Sequence, residues 1–330
     1  MTLYVIGDRL GWSIDDDRAR LAATAKRLGY RVGSNALLRF RRRQAVFQHN
    51  HFNALQPRWL DSSHRLGLSY FHGRPGTPGY PEFDTAYETL KRNATRVDRV
   101  QVTHGEMHEL VVGAGVPADR VFKIPIGIDL EHFPLGPPRS GSEFVVGSFL
   151  KDGVGMNEGD EPKLLKGPDT FVAVVARLRE TIPELSVLLT GPARGYVRRE
   201  LELLGIRYRH VLLSSRDELG RAYRDADVCL VTSRQEGGPK AVLEAMGSGV
   251  PLVTTKVGQA AELVRDGHNG LLAEVDDIDA LASAVERIHG DRELRSRLRN
   301  AGRDTAEAHA EERLDGQWGR LLDGFVRRAD

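Results

Sequence analysis

The alternation of short apolar runs with longer amphipathic stretches constrains the fold of this chain more than any other feature. In the second half it is nearly continuous, from FVVGSF at residue 144 to GLLAEV at residue 270. Short β-branched runs separated by helical patterns indicate parallel strands joined by helices. The sequence therefore predicts an α/β fold class in which the loops after the strands form a ligand crevice. The strands predicted in this half are Phe144–Phe149, Ser186–Thr190, His210–Leu213, Val228–Thr232 and Pro251–Thr254.

The first half of the chain is shorter and less regular but shows a related pattern. Its predicted strands are Leu3–Ile6, Ala45–Gln48, Gly67–Phe71, Arg99–Thr103 and Val121–Ile124. A chain of 330 residues exceeds one typical domain of roughly 150 residues. We therefore predict two α/β domains, each with its own core.

The domain boundary is expected in IPIGIDLEHFPLGPPRSGS, where the density of Pro and Gly suits an irregular, exposed connection. The predicted domains cover residues 1–138 and 139–310. The last segment, residues 311–330, is predicted to form a helix that packs back toward the N-terminal domain, because it carries apolar residues at helical spacing. These residues are Leu314, Trp318, Leu321, Leu322 and Phe325.

Charge and cysteine content limit the partners and the compartment. Lys and Arg total 47 and Asp and Glu total 46, so a net charge of +1 gives no global attraction to nucleic acid or to an anionic membrane. The single cysteine, Cys229, lies in the apolar run DVCLV, which suits core packing and a reducing compartment. The N-terminus lacks a basic region followed by a secretory apolar core, and no apolar run reaches the roughly 20 residues of a membrane span. The expectation is a soluble cytoplasmic protein.

The most informative stretch is TSRQEGGPKAVLEAMGSGVPLV, which runs from Thr232 to Val253 between two predicted strands. Pro239 suits the first turn of a helix, where its missing N–H costs nothing, and Gly247 and Gly249 suit the end of that helix. The pattern therefore predicts a short helix that begins directly after a pair of glycines.

The start of this helix is a predicted phosphate site. Gly237 and Gly238 let a ligand approach the backbone closely. Lys240 and Ala241 then place backbone N–H groups at the positive end of the helix. A phosphate is the natural occupant of such a position.

Two glutamates flank the helix start, Glu236 in the loop and Glu244 in the second turn. A carboxylate offers two acceptor oxygens and matches a vicinal diol, so one residue can hold ribose hydroxyls and the other sugar hydroxyls on either side of a diphosphate. The alternative is a helix-start glutamate and an exposed glutamate with no ligand.

This stretch resembles the family-4 retaining glycosyltransferases of the GT-B fold, which carry two glutamates in the pattern EG(F/G)xxxxLEAMAxGxPVV, matched here by EGGPKAVLEAMGSGVPLV. The resemblance extends to VGQAAELVRDGHNGLL, KIPIGIDLEHF and DRVQVTHGEMHELVVGAGVPADRV, and so covers about residues 100–310. It implies two Rossmann-like domains facing across a cleft, with the nucleotide-sugar donor on the C-terminal domain and the acceptor on the N-terminal one. It also implies that Glu236 contacts the donor sugar, that Glu244 contacts the ribose and that no metal or other cofactor is required.

A Lys-Gly pair in the same family opens the first helix of the C-terminal domain, and Lys166-Gly167 in KLLKGPDTF is similar to it. The resemblance assigns Lys166 to the leaving diphosphate, where a fixed cation meets the charge that builds up during transfer. An exposed surface lysine is the alternative.

The family usually carries an Arg a few residues before that Lys, after a strand that ends in Gly-Arg. Here Ser148 stands where the Arg is common, and a glycine-rich insertion follows. We expect Ser148 in the donor site. Lys151 and Arg194, which opens a helix after a strand, are the candidates for the second cation, with plain solvent exposure as the alternative for both.

The loop VIGDRLGWS after the first strand is similar to the glycine-rich loop of the family, and we assign Gly11 to the donor site. Ser13 and Asp16 have the spacing of a capping box, so the acidic run Asp15–Asp17 is predicted to form the first turn of a helix and not a metal site.

His72 in SYFHGRPGTPGY follows a predicted strand, where the family often carries a histidine near the reacting sugar. The resemblance gives it an orienting role in catalysis, and a structural histidine is the alternative. His49, His51 and His104 also follow strands and are further candidates for the acceptor side.

The run LLRFRRR joins aromatic and aliphatic residues to four basic ones, Arg39, Arg41, Arg42 and Arg43. Such runs are most often solvated. A cluster of this kind can also contact anionic lipid or a phosphorylated acceptor, which would place the protein at the inner face of a membrane.

The function predicted from these features is a retaining glycosyltransferase that moves a sugar from a nucleotide-diphosphate sugar to a glycan, a lipid-linked or a small-molecule acceptor. A nucleotide-sugar hydrolase or epimerase of the same fold, or a noncatalytic sugar-nucleotide-binding subunit, is the alternative. An NAD-dependent enzyme is disfavoured, because no GxGxxG follows a strand with an acid about 20 residues on.

Overall fold

Two separate parallel sheets form from the apolar runs. The computed structural model describes residues 1–7, 13–49, 55–71, 73–155 and 157–328. The chain divides into two units, the first made of Met1–Pro125 with Glu311–Asp330 and the second of Ile126–Ala310. The second unit thus begins ahead of the boundary predicted after residue 138.

In the first unit, the described residues form a five-stranded parallel sheet whose spatial order follows the chain, β1-β2-β3-β4-β5. Its strands are β1 (Leu3–Gly7), β2 (Ala45–His49), β3 (Arg65–Tyr70), β4 (Arg99–Val102) and β5 (Val121–Lys123). Its helices are α1 (Ser13–Arg27), α2 (Pro57–Leu60), α3 (Pro81–Arg92) and α4 (Gly105–Gly113), with short 3-10 helices at Asn35–Phe40 and Ala118–Arg120.

In the second unit, the described residues form a six-stranded parallel sheet in the order β11-β10-β9-β6-β7-β8. Its strands are β6 (Phe144–Ser148), β7 (Leu185–Thr190), β8 (Tyr208–Val211), β9 (Val228–Val231), β10 (Leu252–Thr255) and β11 (Leu271–Ala273). Its helices are α5 (Pro168–Thr181), α6 (Gly195–Leu203), α7 (Arg216–Arg224), α8 (Lys240–Ser248), α9 (Ala260–Leu263), α10 (Ile278–Gly290) and α11 (Arg292–Ala308), with a 3-10 helix at Leu164–Lys166.

The central strands of the second sheet are buried on both faces, as their continuous apolar sequences predict. All six residues of β7 are buried. Helices on one face pack residues such as Phe171 and Leu281 against the sheet, and α8 packs Met246 against the other face beside Cys229. The predicted core position of Cys229 is confirmed.

The strand order of the second sheet reverses between β6 and β9. From β6 the chain proceeds outward through β7 and β8, and it then returns to place β9 on the other side of β6, where Gly147 pairs with Cys229. The loops that leave two such neighbouring strands diverge and open a crevice at the carboxyl edge of the sheet. The loop after β6 and the loop after β9 therefore share one location.

The C-terminal segment groups with the first unit. After a 3-10 helix at Glu311–Leu314, helix α12 (Asp315–Leu322) ends the regular structure. Leu321, Leu322 and Phe325 are buried in one cluster with Leu3 and Phe47 of the first sheet. The apolar stripe of this segment thus packs on the N-terminal core.

The connection before β6 is irregular, as its Pro and Gly content predicts, but the expectation that it is exposed is wrong for part of it. Ile128 and Phe133 are buried in the core of the second unit. The N–H of Ile128 donates to the carbonyl of His309 at 3.1 Å, and the Phe133 ring lies edge-on to Tyr223. These apolar anchors explain why the second unit begins at Ile126.

Candidate functional site

Lys166 and Glu236 meet at the crevice between β6 and β9. Lys166 ends the 3-10 helix that precedes α5, and its ammonium forms an ion pair with Oε1 of Glu236 in the loop after β9. The hydroxyl of Ser233 donates to the same oxygen at 2.9 Å. The side chain of Glu236 is 8% exposed and that of Lys166 is 23% exposed. A cation and an acid are thus held together in a largely buried position.

Gly167 fixes the backbone beside Lys166. Its φ of 62° lies in the left-handed region, which disfavours any residue with a Cβ. Its carbonyl accepts a hydrogen bond from the hydroxyl of Thr232 at 2.8 Å, and a Cβ at this position would collide with the Thr232 backbone. The local geometry therefore requires the glycine of the Lys-Gly pair.

Helix α8 begins at Lys240, so Pro239 directly precedes it instead of occupying its first turn. Lys240 and Ala241 lie in that first turn, where backbone N–H groups have no acceptor within the helix. The helix ends at Gly249 with a φ of 71°, as the glycine pattern predicts. The positive end of α8 thus begins one residue after the glycine pair.

The loop with the glycine pair is held by Gln259. The backbone N–H of Gln259 donates to the carbonyl of Gly237 at 2.9 Å. Its side-chain amide donates to the carbonyl of Ile126 at 2.9 Å and accepts from the N–H of Ile126 at 2.8 Å. A Cβ at Gly238 would lie 2.7 Å from the amide oxygen of Gln259, so this glycine leaves room for that side chain.

Glu244 lies on α8 with 9% of its surface exposed. The hydroxyl of Tyr223 donates to Oε2 of Glu244 at 2.9 Å. Burial, together with the negative charge of Glu244, raises the pKa of the Tyr223 hydroxyl well above its usual value. The Tyr223 ring is stacked on Phe149 with a centroid distance of 3.8 Å. A solvated glutamate is therefore excluded at position 244, as it is at 236.

Arg194 and Ser148 bind each other instead of presenting a charge to a ligand. Arg194 is 1% exposed. It donates from Nη2 to the Ser148 hydroxyl at 2.9 Å and from Nη1 to the carbonyls of Ser148 and Thr190 at 3.0 and 2.9 Å. Its Nε pairs with Asp152 at 2.9 Å. The prediction of Arg194 as the second cation is corrected on this ground, and Ser148 serves as a support for Arg194.

The glycine-rich insertion explains that burial. The carbonyls of Glu158 and Gly159 accept hydrogen bonds from the N–H groups of Gly195 and Tyr196 at 2.6 and 3.0 Å. The insertion thus caps the start of α6 and covers Arg194. Lys151 is partly exposed, and burial lowers the pKa of its ammonium. It stays the predicted second cation.

Sequence reasoning missed Arg234, which directly follows Ser233. Its Nη1 and Nη2 donate to the two carboxylate oxygens of Asp169 at 2.7 Å each, and its Nε donates to Asp276 at 2.9 Å. Nη1 also donates to the carbonyl of Leu164 at 2.8 Å. These hydrogen bonds and charges raise the pKa of Arg234. Arg234 thus clamps the 3-10 helix that carries Lys166, which local patterns do not reveal because its partners are distant in sequence.

Known glycosyltransferases are similar to this chain in sequence and in fold. Residues 162–305 match the family model described as glycosyl transferases group 1. The D-inositol 3-phosphate glycosyltransferase of Stackebrandtia nassauensis is 28% identical over 302 residues, which cover 83% of this chain and 67% of the relative. The enzyme of the same name from Xylanimonas cellulosilytica is 32% identical over 213 residues, which cover 60% of this chain and 50% of the relative. The matched part of the chain thus spans between half and two thirds of these relatives.

A solved structure matches over nearly the whole chain. HepE of Anabaena, solved in complex with UDP and glucose, superposes with a TM-score of 0.76 at 15% identity, covering 98% of this chain and 99% of HepE. The chain has the GT-B fold of glycosyltransferases. The family match includes Lys166, Glu236 and Glu244, all of which lie in the second GT-B unit.

Two predicted residues of the first GT-B unit, Gly11 and His72, lie outside the described residues, as does His51. His49 and His104 are buried: His49 stacks on Phe71 at a centroid distance of 5.6 Å, and Nδ1 of His104 lies 2.9 Å from the Thr103 hydroxyl.

Helix α1 starts at Ser13, so Asp15 and Asp16 lie in its first turn and Asp17 begins its second. The part of the chain that the structure describes contains no group of three or more His, Cys, Asp or Glu side chains placed to hold a metal ion. No helix among the described residues has the length and apolar character needed to cross a bilayer.

Proposed function

We propose that the protein is a retaining glycosyltransferase that moves a sugar from a nucleotide-diphosphate sugar to a glycan, a lipid-linked or a small-molecule acceptor. The observation that carries the proposal is the pairing of Lys166 with Glu236 beside the start of α8, which also bears the buried Glu244. The family match over the same residues supports it. The relatives named as glycosyltransferases and the UDP and glucose bound to HepE support a nucleotide-sugar donor.

In this proposal the donor diphosphate lies between Lys166 and the first turn of α8, at Gly237, Gly238, Lys240 and Ala241. Lys166 offsets the negative charge that develops on the leaving group, which is the main electrostatic demand of the reaction. Helix N-termini bind phosphate through their N–H groups and their dipole.

The two glutamates bind the flanking sugars. Glu236, held by Lys166 and Ser233, contacts hydroxyls of the donor sugar. Glu244, oriented by Tyr223, accepts hydrogen bonds from the ribose diol through its remaining lone pairs. Charge-assisted hydrogen bonds of this kind are about twice as strong as neutral ones.

Transfer with retention proceeds on one face of the donor sugar. The bond from the anomeric carbon to the phosphate oxygen breaks, and the acceptor oxygen forms a bond on the same face. The acceptor proton passes to the departing phosphate oxygen. No protein base is required, and Lys166 supplies positive charge at the leaving group without a metal. His72 would orient the reacting sugar.

The reaction is proposed to occur in the cytoplasm, with peripheral contact at the inner face of the membrane. The support is a surface of the first unit around the 3-10 helix Asn35–Phe40, where Leu37 is 50% and Phe40 is 70% exposed. Arg39 lies over the Phe40 ring at 4.6 Å, and Arg41–Arg43 are exposed next to it. Exposed apolar residues beside basic ones suit an anionic lipid surface.

A screen of nucleotide sugars tests the proposal. The purified chain is heated with UDP-, GDP-, ADP- and TDP-sugars, and a ligand that binds the folded state should raise the melting temperature. The stabilising donor is then incubated with acceptors, and the anomeric configuration of the product is determined by NMR. Retention is expected, and Glu236→Gln should reduce turnover.

Other outcomes would identify the alternatives. Release of free sugar at the same rate without acceptor would indicate a hydrolase, and an isomerised donor would indicate an epimerase. Binding without turnover would indicate a noncatalytic subunit. Failure of every nucleotide sugar to stabilise the protein would contradict the donor site itself.

A further inference from the structure

A second cavity lies at the opposite edge of the second sheet from the candidate donor site. Its volume is about 730 Å³, and it is lined by residues that precede strands, such as Asp227 before β9 and Pro251 before β10, and by one face of α11. Lys166 and Glu236 belong to loops that leave the carboxyl ends of strands. The cavity at the amino edge is therefore a separate place in the fold.

The acidic residues that line this cavity are already paired. Asp227 pairs with Arg139 at 2.7 Å. Glu184 pairs with His289 at 2.8 Å. Glu143 pairs with Arg207 at 3.1 Å. Each carboxylate of the wall thus has a partner within the protein.

Four arginines of the lining lack a carboxylate partner. Among the described residues, none of them forms an ion pair with a carboxylate. Three donate to backbone carbonyls instead: Arg224 to Pro134 at 3.3 Å, Arg295 to His289 at 3.2 Å and Arg299 to Gly249 at 2.8 Å. The fourth is Arg292, exposed at the start of α11.

The placement of these charges on α11 is unfavourable for the helix by itself. Arg292, Arg295 and Arg299 are spaced three and four residues apart, so they share one face and repel one another. Arg292 is also in the first turn, at the positive end of the helix dipole. Burial lowers the pKa of Arg299, which reflects the cost of holding its charge there. An anion in the cavity would relieve all three effects.

We propose that this cavity binds a small, soluble, phosphate-bearing anion. Guanidinium groups match phosphate oxygens with paired, charge-assisted hydrogen bonds, which distinguishes phosphate from a simple carboxylate when several arginines converge. The volume lies in the range of about 300–1,000 Å³ that small-ligand sites occupy. The proposal does not depend on the glycosyltransferase function, because it involves neither Lys166 nor the two glutamates.

Calorimetric titration of the chain with inorganic pyrophosphate tests the proposal. The double variant Arg292→Gln, Arg295→Gln should bind at least about tenfold more weakly than the parent, a change of about 1.4 kcal/mol. Arg297→Gln is the matched control, because Arg297 is exposed on the same helix but does not line the cavity. It should bind like the parent.

Lys166→Met separates this site from the donor site and should keep the cavity binding. Pyrophosphate binding that is lost in Lys166→Met and unchanged in the double arginine variant would overturn the proposal. Equal binding by Lys166→Met with and without the double arginine replacement would do the same. Melting temperatures of all variants verify that they fold.

Discussion

At the scale of single residues, the candidate donor site depends on charges that are buried only because each has a partner. Glu236 shares one oxygen between Lys166 and Ser233, and Glu244 accepts from Tyr223. A carboxylate removed from water without such partners would be protonated or would destabilise the fold. Each partner therefore both permits the buried charge and fixes the direction in which the carboxylate points.

Lys166→Met tests the charge at the leaving group. The variant keeps the aliphatic stem and removes the ammonium, so turnover should fall more than ground-state donor binding. Contacts of this type are worth about 2.7–4 kcal/mol, and we expect kcat to fall on the order of 100-fold. Steady-state kinetics at saturating donor measures this, with Lys163→Met in the same segment as the control. A near-normal kcat would assign the leaving group to another cation, such as Lys151.

Tyr223→Phe tests the orientation of Glu244. The variant keeps the ring on Phe149 but removes the hydroxyl, so the affinity for nucleoside diphosphate should fall several-fold while kcat at saturating donor stays close to the parent value. Loss of one buried hydrogen bond should also lower stability by about 1 kcal/mol. Calorimetry and thermal unfolding measure the two effects.

Tyr208→Phe is the control for that experiment, because the Tyr208 hydroxyl donates to Glu202 at the surface. It should leave the affinity unchanged. If Tyr223→Phe lost stability but bound nucleoside diphosphate like the parent, Tyr223 would have a structural role alone.

At the scale of elements, the site is assembled by contacts between segments that leave neighbouring strands. Arg234, after β9, holds the 3-10 helix before α5 through Leu164 and the first turn of α5 through Asp169. It also binds Asp276, which follows β11. Two loops of the carboxyl edge are thereby fixed to the loop after β9, and one of them carries Lys166.

The Arg234 clamp should make stability depend on acid pH. Arg234 lowers the pKa of Asp276, mainly through a hydrogen bond. Burial raises the pKa of Asp169, but the hydrogen bonds and charge of Arg234 outweigh this effect and the pKa is lowered. A carboxylate whose pKa is lowered by folding stabilises the folded protein at pH values above its ordinary pKa of about 3.9. This stabilisation is lost as the pH falls through the lowered pKa. The melting temperature should therefore decrease less in Arg234→Gln than in the parent between about pH 6 and about pH 3.

The same variant should reduce kcat at neutral pH, because the segment that bears Lys166 loses its anchor. Arg177→Gln is the control, since Arg177 pairs with Asp279 at an exposed position. Parallel pH curves for the parent and Arg234→Gln would contradict the proposed clamp.

At the scale of the whole molecule, the described residues form two units, each with its own buried clusters. The strand order is sequential in the first sheet and reverses in the second. A reversal of strand order opens a crevice at the carboxyl edge, so the topology of the second unit provides a place for a ligand. The first unit instead carries the exposed basic and aromatic surface around Phe40.

Replacement of Arg39, Arg41, Arg42 and Arg43 by Gln tests that surface. Each basic residue near an anionic membrane contributes about 1 kcal/mol to binding. The partition constant for phosphatidylglycerol vesicles, measured by flotation, should therefore fall by roughly 100-fold or more. Donor affinity should not change. The control removes the same charge from the second unit by replacing Arg177, Arg199, Arg207 and Arg209 with Gln. Equal flotation of the two variants would contradict a specific membrane surface.

Local sequence patterns determined the elements of this protein. The ten predicted strands form within one or two residues of their expected positions at both ends, and α8 begins next to Pro239 and ends at Gly249. These features depend on side-chain periodicity and on backbone preferences that act over a few residues. The same short-range signals placed Glu236 and Glu244 on either side of a helix start.

The tertiary structure decided which of the candidate side chains meet. Arg194 and Lys166 both follow strands and carry the same charge, yet one is buried on Ser148 and Asp152 while the other pairs with Glu236. That difference arises from the insertion that covers α6 and from the placement of β9 beside β6. Strand order and long-range ion pairs, such as Arg234 with Asp169, depend on how distant segments pack, and no pattern of neighbouring residues contains that information.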